Sequence, residues 1–327
     1  MIQVEGLSKR FGERMAIENV SFEVASGEIL GFLGPNGAGK TTTMRILTGY
    51  LAPSAGRATV DGFDVLEEPM KVKARVGYLP EFPPLYTELL VDEYLYYVAA
   101  LKGVPSGRRA SAVERVAHRC GIADVRRRLI NNLSKGYRQR VGLAQALIHD
   151  PKVVILDEPT SGLDPNQIQE VRALIREIAK DRTVILSTHI LPEVENLCDK
   201  VAIINEGKIV AVGPPQVVSA AAGGEQRVRL RLSRAPAQAD LEGALGQLPG
   251  FAGILPAVPA DGKTFEVRLS VAPPGASPGT SDAREQLAAL VVQKGWGLLE
   301  MRDEGSRLEN VFHRLTQGEK ASPGGAA

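Results

Sequence analysis

Cysteine is scarce in this sequence, and its cysteines form no pattern. Of 327 residues two are cysteines, Cys120 and Cys198, and they lie far apart without the close spacing of metal-ligand pairs. Small secreted domains built on disulfides and cysteine-rich zinc modules both need several closely spaced cysteines, so neither describes this chain. A reduced cytosolic setting is the simplest interpretation.

Net charge and long apolar runs are lacking as well. The 39 Lys and Arg residues nearly balance the 38 Asp and Glu residues, which leaves a formal net charge of +1. Such a balance gives no electrostatic footprint for nucleic acid or for an anionic membrane surface. Because no run of about 18 consecutive apolar residues occurs, we expect no transmembrane helix. Charged residues between Glu5 and Arg14 argue against a secretory signal. A role at a membrane would therefore need a separate subunit.

What is present is an ordinary globular composition, arranged in two parts. Hydrophobic residues make up 44% of the chain and charged residues 24%, and the length allows two or three domains. Strands alternate with helices over residues 1–220, which predicts an α/β fold with a mostly parallel sheet. Helical patterns at about 85–150 form an inserted helical subdomain. Residues 225–317 follow the order β-α-β-β-α-β of a small ferredoxin-like α+β domain, and residues 318–327 are an expected disordered tail.

A glycine-rich segment at residues 34–42 organises the first part. It follows an apolar run and precedes a helical pattern, so it fits the arrangement strand, GxxxxGK[ST], helix. In that arrangement backbone N–H groups and the positive end of the helix turn toward one anion. We therefore expect a nucleoside triphosphate, with Lys40 at the β- and γ-phosphates and the Thr41 hydroxyl in the shell of a Mg²⁺ ion. The predicted nucleotide-binding residues of this segment are Gly34, Pro35, Asn36, Gly37, Ala38, Gly39, Lys40, Thr41 and Thr42.

Two acidic residues and a histidine complement this segment. Asp157 and Glu158 follow an apolar run, which suits a strand of a parallel sheet covered on both faces. Asp157, at the strand end, can hold Mg²⁺ through an oxygen or a water molecule. Glu158, turned away by strand alternation, can accept a proton from the water that attacks the γ-phosphate. His189 ends a neighbouring buried strand and can contact the γ-phosphate, although a histidine judged alone is more often structural.

Two further positions have both a functional and a structural interpretation. Phe11 lies in a basic turn between strands, where an aromatic ring can stack on a flat base or contact the core. Glu81 follows a predicted strand over residues 73–79 that ends at Pro80. It occupies a position typical of an active-site loop, or it is a solvated loop carboxylate.

Together these motifs resemble the ATP-binding cassette (ABC) ATPase subunit of a transporter. Residues 34–42 match the Walker A loop, residues 153–158 match Walker B with its catalytic glutamate, and His189 matches the switch histidine. Phe11 falls where the family has its adenine-stacking aromatic, and the D-loop at residues 161–164 ends at Asp164. The resemblance covers residues 1 to about 220, with all motifs in order.

The resemblance carries expectations about fold and cofactors. It implies a P-loop core of the RecA type with an antiparallel β subdomain and a helical subdomain. It also implies ATP and Mg²⁺ as cofactors, with Glu158, His189 and Glu81 in catalytic roles. The Mg²⁺ ligands implied are Thr41, Asp157 and Glu81.

The family signature falls at residues 133–140 and departs from the usual Leu-Ser-Gly-Gly-Gln. Lys135 replaces a glycine and Tyr137 replaces the glutamine, while Ser134 and Gly136 remain. In the family this helix N-terminus completes the site of the opposite subunit, and Ser134 and the Gly136 N–H can still serve an anion there. Lys135 adds charge near the phosphate or points to solvent, and the sequence leaves both open.

Glu81 is a second departure, since the family usually has glutamine there. A carboxylate can still reach Mg²⁺ or the attacking water. Both variants resemble the ABC-2 branch of exporters, which includes drug, sodium and gliding-motility systems. The segment at residues 306–316 also resembles the C-terminus of that branch.

The function implied is that of an ATP-hydrolysing subunit that powers a membrane exporter through ATP-driven dimerisation. Two copies would sandwich two ATP–Mg²⁺ and act on integral membrane permease subunits that are encoded separately. The expected location is cytoplasmic and peripheral, on the inner face of the cell membrane, and no nucleic acid is expected as a partner.

Two other functions compete with the exporter subunit. One is a soluble ABC ATPase that acts on ribosomes or nucleic acid, but soluble types carry two cassettes, a long coiled coil or a zinc module, which this chain lacks. The other is a P-loop kinase, which would leave residues 133–140 and 161–164 without a function. The transported substrate is not predicted by this sequence.

Overall fold

A computed structural model of the chain describes residues 2–221, 225–234, 236–248, 251–256, 264–270, 283–303, 308 and 312. Contacts separate the chain into two units, Met1–Pro215 and Gln216–Ala327. The domain limits predicted from the sequence, residues 220 and 225, lie a few residues beyond this division.

The first unit contains a parallel sheet, an antiparallel sheet and a group of helices. Short 3₁₀ helices at Ala123–Val125 and Ile130–Asn132 connect its fourth and fifth α-helices. In chain order its elements are β1 (Ile2–Phe11), β2 (Arg14–Val24), β3 (Ile29–Leu33), α1 (Lys40–Leu47), β4 (Ala55–Val60), β5 (Phe63–Asp64), α2 (Pro69–Arg75), β6 (Val76–Leu79), α3 (Val91–Leu101), α4 (Ser106–Arg119), α5 (Lys135–Leu147), β7 (Val153–Asp157), α6 (Pro165–Ala179), β8 (Thr183–Thr188), α7 (Leu191–Leu197), β9 (Lys200–Asn205) and β10 (Lys208–Gly213).

The parallel sheet positions the ends of its strands at one edge. Its order is β10-β9-β3-β8-β7-β6, and β10 alone among these strands pairs antiparallel to its neighbour. Every residue of β3, β7 and β8 is buried, as expected for strands covered on both faces. Leu33 pairs with Thr188 and Asp157 pairs with Ser187, so these three strands end side by side. Ligands of such sheets bind at this carboxyl edge.

The antiparallel sheet and the helices flank the parallel sheet. The antiparallel order is β2-β1-β4-β5, and Phe22 on β2 packs its ring 5.4 Å from that of Phe32 on β3. The helices α3, α4 and α5 bury their apolar faces in a common core, which includes Leu95, Val116 and Leu143. The predicted P-loop α/β core with its antiparallel β and helical subdomains is confirmed.

Within its described residues, the second unit contains a four-stranded antiparallel sheet and the helices α9 (Gln238–Leu245) and α10 (Ala283–Gln293). A further helix, α8 (Pro215–Ala221), spans the division between the units. The elements follow the chain order β-α-β-β-α-β, and the strands lie in the order β14-β11-β13-β12 in the sheet. This arrangement is that of the predicted ferredoxin-like domain. The predicted last helix at residues 308–315 lies outside the described residues, except for residues 308 and 312. The predicted tail also lies outside them. The elements of this unit are β11 (Glu225–Leu232), α9 (Gln238–Leu245), β12 (Phe251–Pro256), β13 (Thr264–Ser270), α10 (Ala283–Gln293) and β14 (Leu298–Asp303).

One predicted strand begins too early. Residues 73–75 were expected to open the strand before Glu81, but they form the end of α2, and β6 starts at Val76. The prediction fails because the alternation Lys-Val-Lys-Ala-Arg fits a strand as well as a short helix. Pro69 in the first turn, a favoured helix start, is the signal that identifies α2.

Candidate nucleotide-binding and hydrolysis site

The glycine-rich segment connects the buried strand β3 to α1. Gly39 caps the helix with φ of 106°, and a Cβ atom there would lie 2.5 Å from Ile17 Cγ2. Only glycine suits such a backbone with β2 so close, so the tight turn into the helix depends on it. Lys40, the first helical residue, is 6% exposed. Its ammonium donates hydrogen bonds to the carbonyl oxygens of Gly34 at 2.8 Å and Pro35 at 3.3 Å.

Lys40, Glu158 and His189 form one connected group. Glu158 Oε1 lies 3.3 Å from Lys40 Nζ, and Glu158 Oε2 lies 2.8 Å from His189 Nδ1. The prediction that strand alternation sets the direction of Glu158 is wrong, because β7 ends at Asp157 and the alternation does not extend to Glu158. Glu158 instead has a φ of 49°, and this turn aims its side chain at the lysine and the histidine. A carboxylate is one of the side chains that can act as a general base, and these two contacts fix its direction.

Asp157 lies next to this group but has no hydrogen-bond partner of its own. It is 1% exposed, and neither of its carboxylate oxygens is hydrogen bonded within the described part of the chain. Burial, together with the Asp157 charge, raises the pKa of the Tyr78 hydroxyl to about 12. A buried carboxylate without partners is costly, and a hard cation such as Mg²⁺ is the kind of ligand that would satisfy it.

A cleft of about 570 Å³ opens in front of these residues. Phe11 lies at its rim, 50% exposed, with the Lys9 ammonium 5.3 Å from the ring centre. The interpretation of Phe11 as a core residue is therefore wrong. The volume is typical of a small-molecule site. The residues lining the cleft are Phe11, Arg14, Ala16, Asn36, Gly37, Gly39, Lys40, Thr41, Thr42, Glu81, Glu158, Ser161 and His189.

Some predicted residues do not line this cleft, and some lining residues were not predicted. Gly34, Pro35, Ala38 and Asp157 are absent from the lining, although Gly34 and Pro35 accept hydrogen bonds from Lys40. Sequence reasoning missed Arg14 and Ala16, and it placed Ser161 in the D-loop without assigning it to this cleft. The available signal for Arg14 and Ala16 was their closeness to the Phe11 turn, since β2 pairs with β1 there.

The predicted signature and D-loop come together at a second cleft, of about 350 Å³. The Ser134 hydroxyl caps α5 by accepting a hydrogen bond from the Tyr137 N–H at 3.3 Å. Asp164 caps α6 in the same way, with bonds of 3.0 Å from the N–H groups of Asn166 and Gln167. Two helix N-termini therefore meet at one cleft, an arrangement that favours an anion. Its lining residues are Ser134, Gly136, Tyr137, Arg140, Asp164, Asn166, Gln167 and Glu170.

The two unusual signature residues are held by contacts within the same chain. Lys135 does not line the second cleft, and its ammonium lies against Gly162 of the D-loop. The Tyr137 hydroxyl donates a 3.0 Å hydrogen bond to Asp124 Oδ2, and this bond raises the pKa of Tyr137. The Arg140 guanidinium lies 5.9 Å from the Tyr137 ring centre and pairs with Glu170.

Comparison with known proteins identifies the family. The ABC transporter family model matches residues 17–161. The bacitracin transport ATP-binding protein BcrA of Bacillus licheniformis is 39% identical over 64% of this chain and 68% of its own length. The daunorubicin resistance ATP-binding protein DrrA3 of Streptomyces coeruleorubidus is 34% identical over 96% of this chain and 95% of its own length.

Solved structures agree with these relatives. A chain described as the ATP binding subunit of an ABC transporter is 30% identical, with a TM-score of 0.61 over 67% of this chain and 91% of its own. The chain cbiO1 from Clostridium perfringens, part of the transporter complex cbiONQ, is 31% identical, with a TM-score of 0.61 over 66% of this chain and 89% of its own.

The fold and the two clefts define a P-loop ATPase with a signature helix. Its family follows from a relative matched over nearly its whole length: the chain belongs to the ATP-binding proteins of ABC transporters. The predicted membership of the ABC transporter ATPases is confirmed, and the protein is an ATPase that binds and hydrolyses ATP. The soluble ribosome or nucleic-acid ATPase is not favoured by these comparisons.

Proposed function

We propose that this ATPase powers an ABC-2-type exporter and that Lys40, Glu158 and His189 carry its hydrolysis. The observation that carries the proposal is the contact of both Glu158 oxygens, one with the Lys40 ammonium and one with His189 Nδ1. Support for the exporter branch comes from relatives whose names include bacitracin transport and daunorubicin resistance.

Hydrolysis in the first cleft proceeds by positioning and proton transfer. Lys40 exchanges its bonds to loop carbonyls for the β- and γ-phosphates, where its charge offsets the charge of the transferring group. Glu158 accepts the proton of the attacking water, and His189 holds that carboxylate from the other side. Phe11, at the rim, stacks on the adenine.

Magnesium fits the residues that surround the phosphates. Thr41 and Glu81 line the first cleft, and Asp157 lies beside Glu158 with both oxygens unpaired within the described residues. Mg²⁺ usually keeps several waters and is bound through one or two carboxylates together with substrate phosphates. When bound, Mg²⁺ offsets charge on the β- and γ-phosphates.

The second cleft serves the opposite copy in a head-to-tail dimer. Within the described residues, none lines both clefts, so the signature of one copy is free to face the nucleotide of another. Ser134 and the Gly136 N–H then meet the γ-phosphate held by the partner copy. ATP binding closes the dimer, and hydrolysis opens it again.

The membrane partner binds an exposed aromatic patch made of Tyr86, Tyr96 and Tyr97, at the start of the helical subdomain. Each of these residues is about half exposed, and the ring centres of Tyr86 and Tyr97 lie 5.7 Å apart. Exposed aromatic clusters mark protein interaction sites, and this one lies a few residues after Glu81 of the nucleotide cleft. A cytoplasmic segment of a permease subunit is the proposed occupant. No helix among the described residues is long and apolar enough to span a membrane. The proposed permease partner is a separate chain. We propose that the ATPase works at the inner face of the cell membrane, on its cytoplasmic side.

Co-purification from detergent-solubilised membranes tests this function. The full chain should bring down a polytopic membrane protein, and Tyr96→Ala with Tyr97→Ala should weaken that capture while ATP hydrolysis persists. Tyr50→Ala, an exposed tyrosine outside the patch, is the matched control. Capture of ribosomes or nucleic acid without a membrane protein would contradict the exporter assignment.

A further inference from the structure

Glu193 is a buried carboxylate that lies outside the nucleotide cleft. It belongs to α7 and is 0% exposed, and it is not among the residues that line the first cleft. Removing a carboxylate from water costs free energy, and hydrogen bonds and a nearby positive charge are needed to compensate it. The partners of Glu193 therefore show what it holds together.

Its hydrogen-bond donors come from the two segments that carry the hydrolytic groups. The Thr160 hydroxyl donates to Glu193 Oε1 at 2.6 Å, and the Thr188 hydroxyl donates to Glu193 Oε2 at 2.8 Å. Thr160 follows Glu158 by two positions, and Thr188 directly precedes His189. Each carboxylate oxygen thus anchors one of the two segments.

A third contact connects Glu193 to the helix that starts at the second cleft. The Arg172 guanidinium on α6 lies 3.5 Å from Glu193 Oε1. This helix begins directly after the D-loop residue Asp164. The arginine charge offsets part of the burial cost of the carboxylate, and it joins α6 to the same buried group.

Thr188 extends the effect to both sides of His189. Its hydroxyl donates to Glu193 and also accepts a 3.0 Å hydrogen bond from the Ile190 N–H. The backbone before and after His189 is therefore fixed by one hydroxyl. The 2.8 Å distance between His189 Nδ1 and Glu158 Oε2 depends on this placement, because both side chains extend from segments tied to Glu193.

We infer that Glu193 is a positioning residue for ATP hydrolysis, which holds the Glu158 segment and the His189 segment in register. The inference rests on the roles proposed above for Glu158 and His189. A displacement of about 1 Å at a reacting group can cost on the order of 10²-fold in rate. Glu193→Ala should therefore lower kcat by roughly 10- to 100-fold. Nucleotide affinity should stay within about twofold, because only interactions made in the transition state are lost.

The test compares kcat per nucleotide-binding site with KM and affinity for a fluorescent ATP analogue, in the full chain. Thr160→Val and Thr188→Val remove one hydroxyl each with little change in volume, so they carry the test if Glu193→Ala does not fold. Each should lower kcat at constant affinity, and Glu193→Gln, which keeps an acceptor oxygen, should recover part of the loss. Glu195→Gln, on the exposed side of the same helix, is the matched control and should keep wild-type kcat.

A double-mutant cycle with His189→Ala separates positioning from simple stability. If Glu193 acts through His189, Glu193→Gln should lower kcat in the wild-type chain but change it little in the His189→Ala chain. Unchanged kcat per site with a lower melting temperature would overturn the inference, and so would an equal fall in both backgrounds. A wild-type-like kcat for His189→Ala alone would instead contradict the proposed function.

Discussion

The two clefts of the first unit are both built at helix N-termini, yet they differ in how their polar groups are paired. In the first cleft, Lys40 and Glu158 pair with each other, and neighbouring Asp157 has no hydrogen bond to any described residue. In the second cleft, Ser134 caps its own helix, and Tyr137 is tied to Asp124.

Under the proposed function, this difference distinguishes the cleft in which the reaction occurs from the cleft that is offered to another copy. In the proposed cycle, Lys40 and Glu158 must exchange the partners that they hold before the nucleotide arrives. Groups that must offer a fixed array of N–H donors to another copy are locked in advance, which avoids an entropy cost on binding. Substitutions in the two clefts should therefore fail in different ways.

Lys40→Ala should have the largest effect, because it removes the cation that meets the β- and γ-phosphates. We expect fluorescent ATP binding and hydrolysis to fall to background, since no other described lysine lines the first cleft. Lys152→Ala, on the surface of the same unit, is the control. Binding of ATP by Lys40→Ala at near wild-type affinity would show that the first cleft is not the nucleotide site.

Glu158→Gln should separate binding from chemistry. The amide keeps the shape of the carboxylate but cannot take a proton, so hydrolysis should fall by about 10²- to 10⁴-fold while ATP binding persists. Size-exclusion chromatography with ATP should then show a trapped dimer. Wild-type turnover by Glu158→Gln would remove Glu158 from the role of base.

Ser134→Asp should abolish hydrolysis without disturbing the fold. Aspartate caps a helix as well as serine does, but its charge would repel the phosphate of the opposite copy. Ser134→Asn, a neutral cap, is the matched control and should retain most activity. Circular dichroism and ATPase assays measure the two consequences separately.

Mixing inactive chains sharpens this result. Ser134→Asp and Lys40→Ala are each inactive alone, but a mixed dimer contains one intact site, made from the first cleft of the former and the second cleft of the latter. With random pairing, activity should recover to about a quarter of wild type. Absence of any recovery, with mixed dimers present, would contradict a site shared between copies.

Tyr137→Phe should have the smallest effect. It removes the hydroxyl bonded to Asp124 and keeps the ring beside Arg140, so we expect a loss of about 1 kcal/mol in stability. ATP hydrolysis should remain within about twofold of wild type, because the Ser134 cap is untouched. A large loss of activity at unchanged stability would mean that the tyrosine hydroxyl itself takes part in the site.

Local patterns predicted much of this molecule. The strand, glycine-rich turn and helix around Lys40 are specified by neighbouring residues, and apolar periodicity predicted the parallel sheet, the helical subdomain and the ferredoxin-like unit. The direction of Glu158 was not predictable from alternation, because it depends on a positive φ after the strand ends. The position of Lys135 against Gly162 depends on two loops that are distant in sequence.

Short helices account for the remaining errors. Both α2 and α7 have seven residues, too few to show a clear apolar period. The sequence analysis predicted no helix at Leu191–Leu197, so it gave no reason to single out Glu193, whose partners Thr160 and Thr188 are hydroxyl residues with no pattern of their own. Such a buried polar group is recognisable only once the chain has brought its three segments together.

The pairing of Lys40 with Glu158 and with the carbonyls of Gly34 and Pro35 has a consequence for the turnover cycle. In the proposed site, these acceptors compete with the nucleotide phosphates for the same lysine. Under the proposed mechanism, the ammonium can return to these acceptors as ADP and phosphate leave, so release does not create an isolated buried charge. The same competition lowers the affinity for the next nucleotide, because its phosphates must displace a preformed ion pair before the cycle restarts.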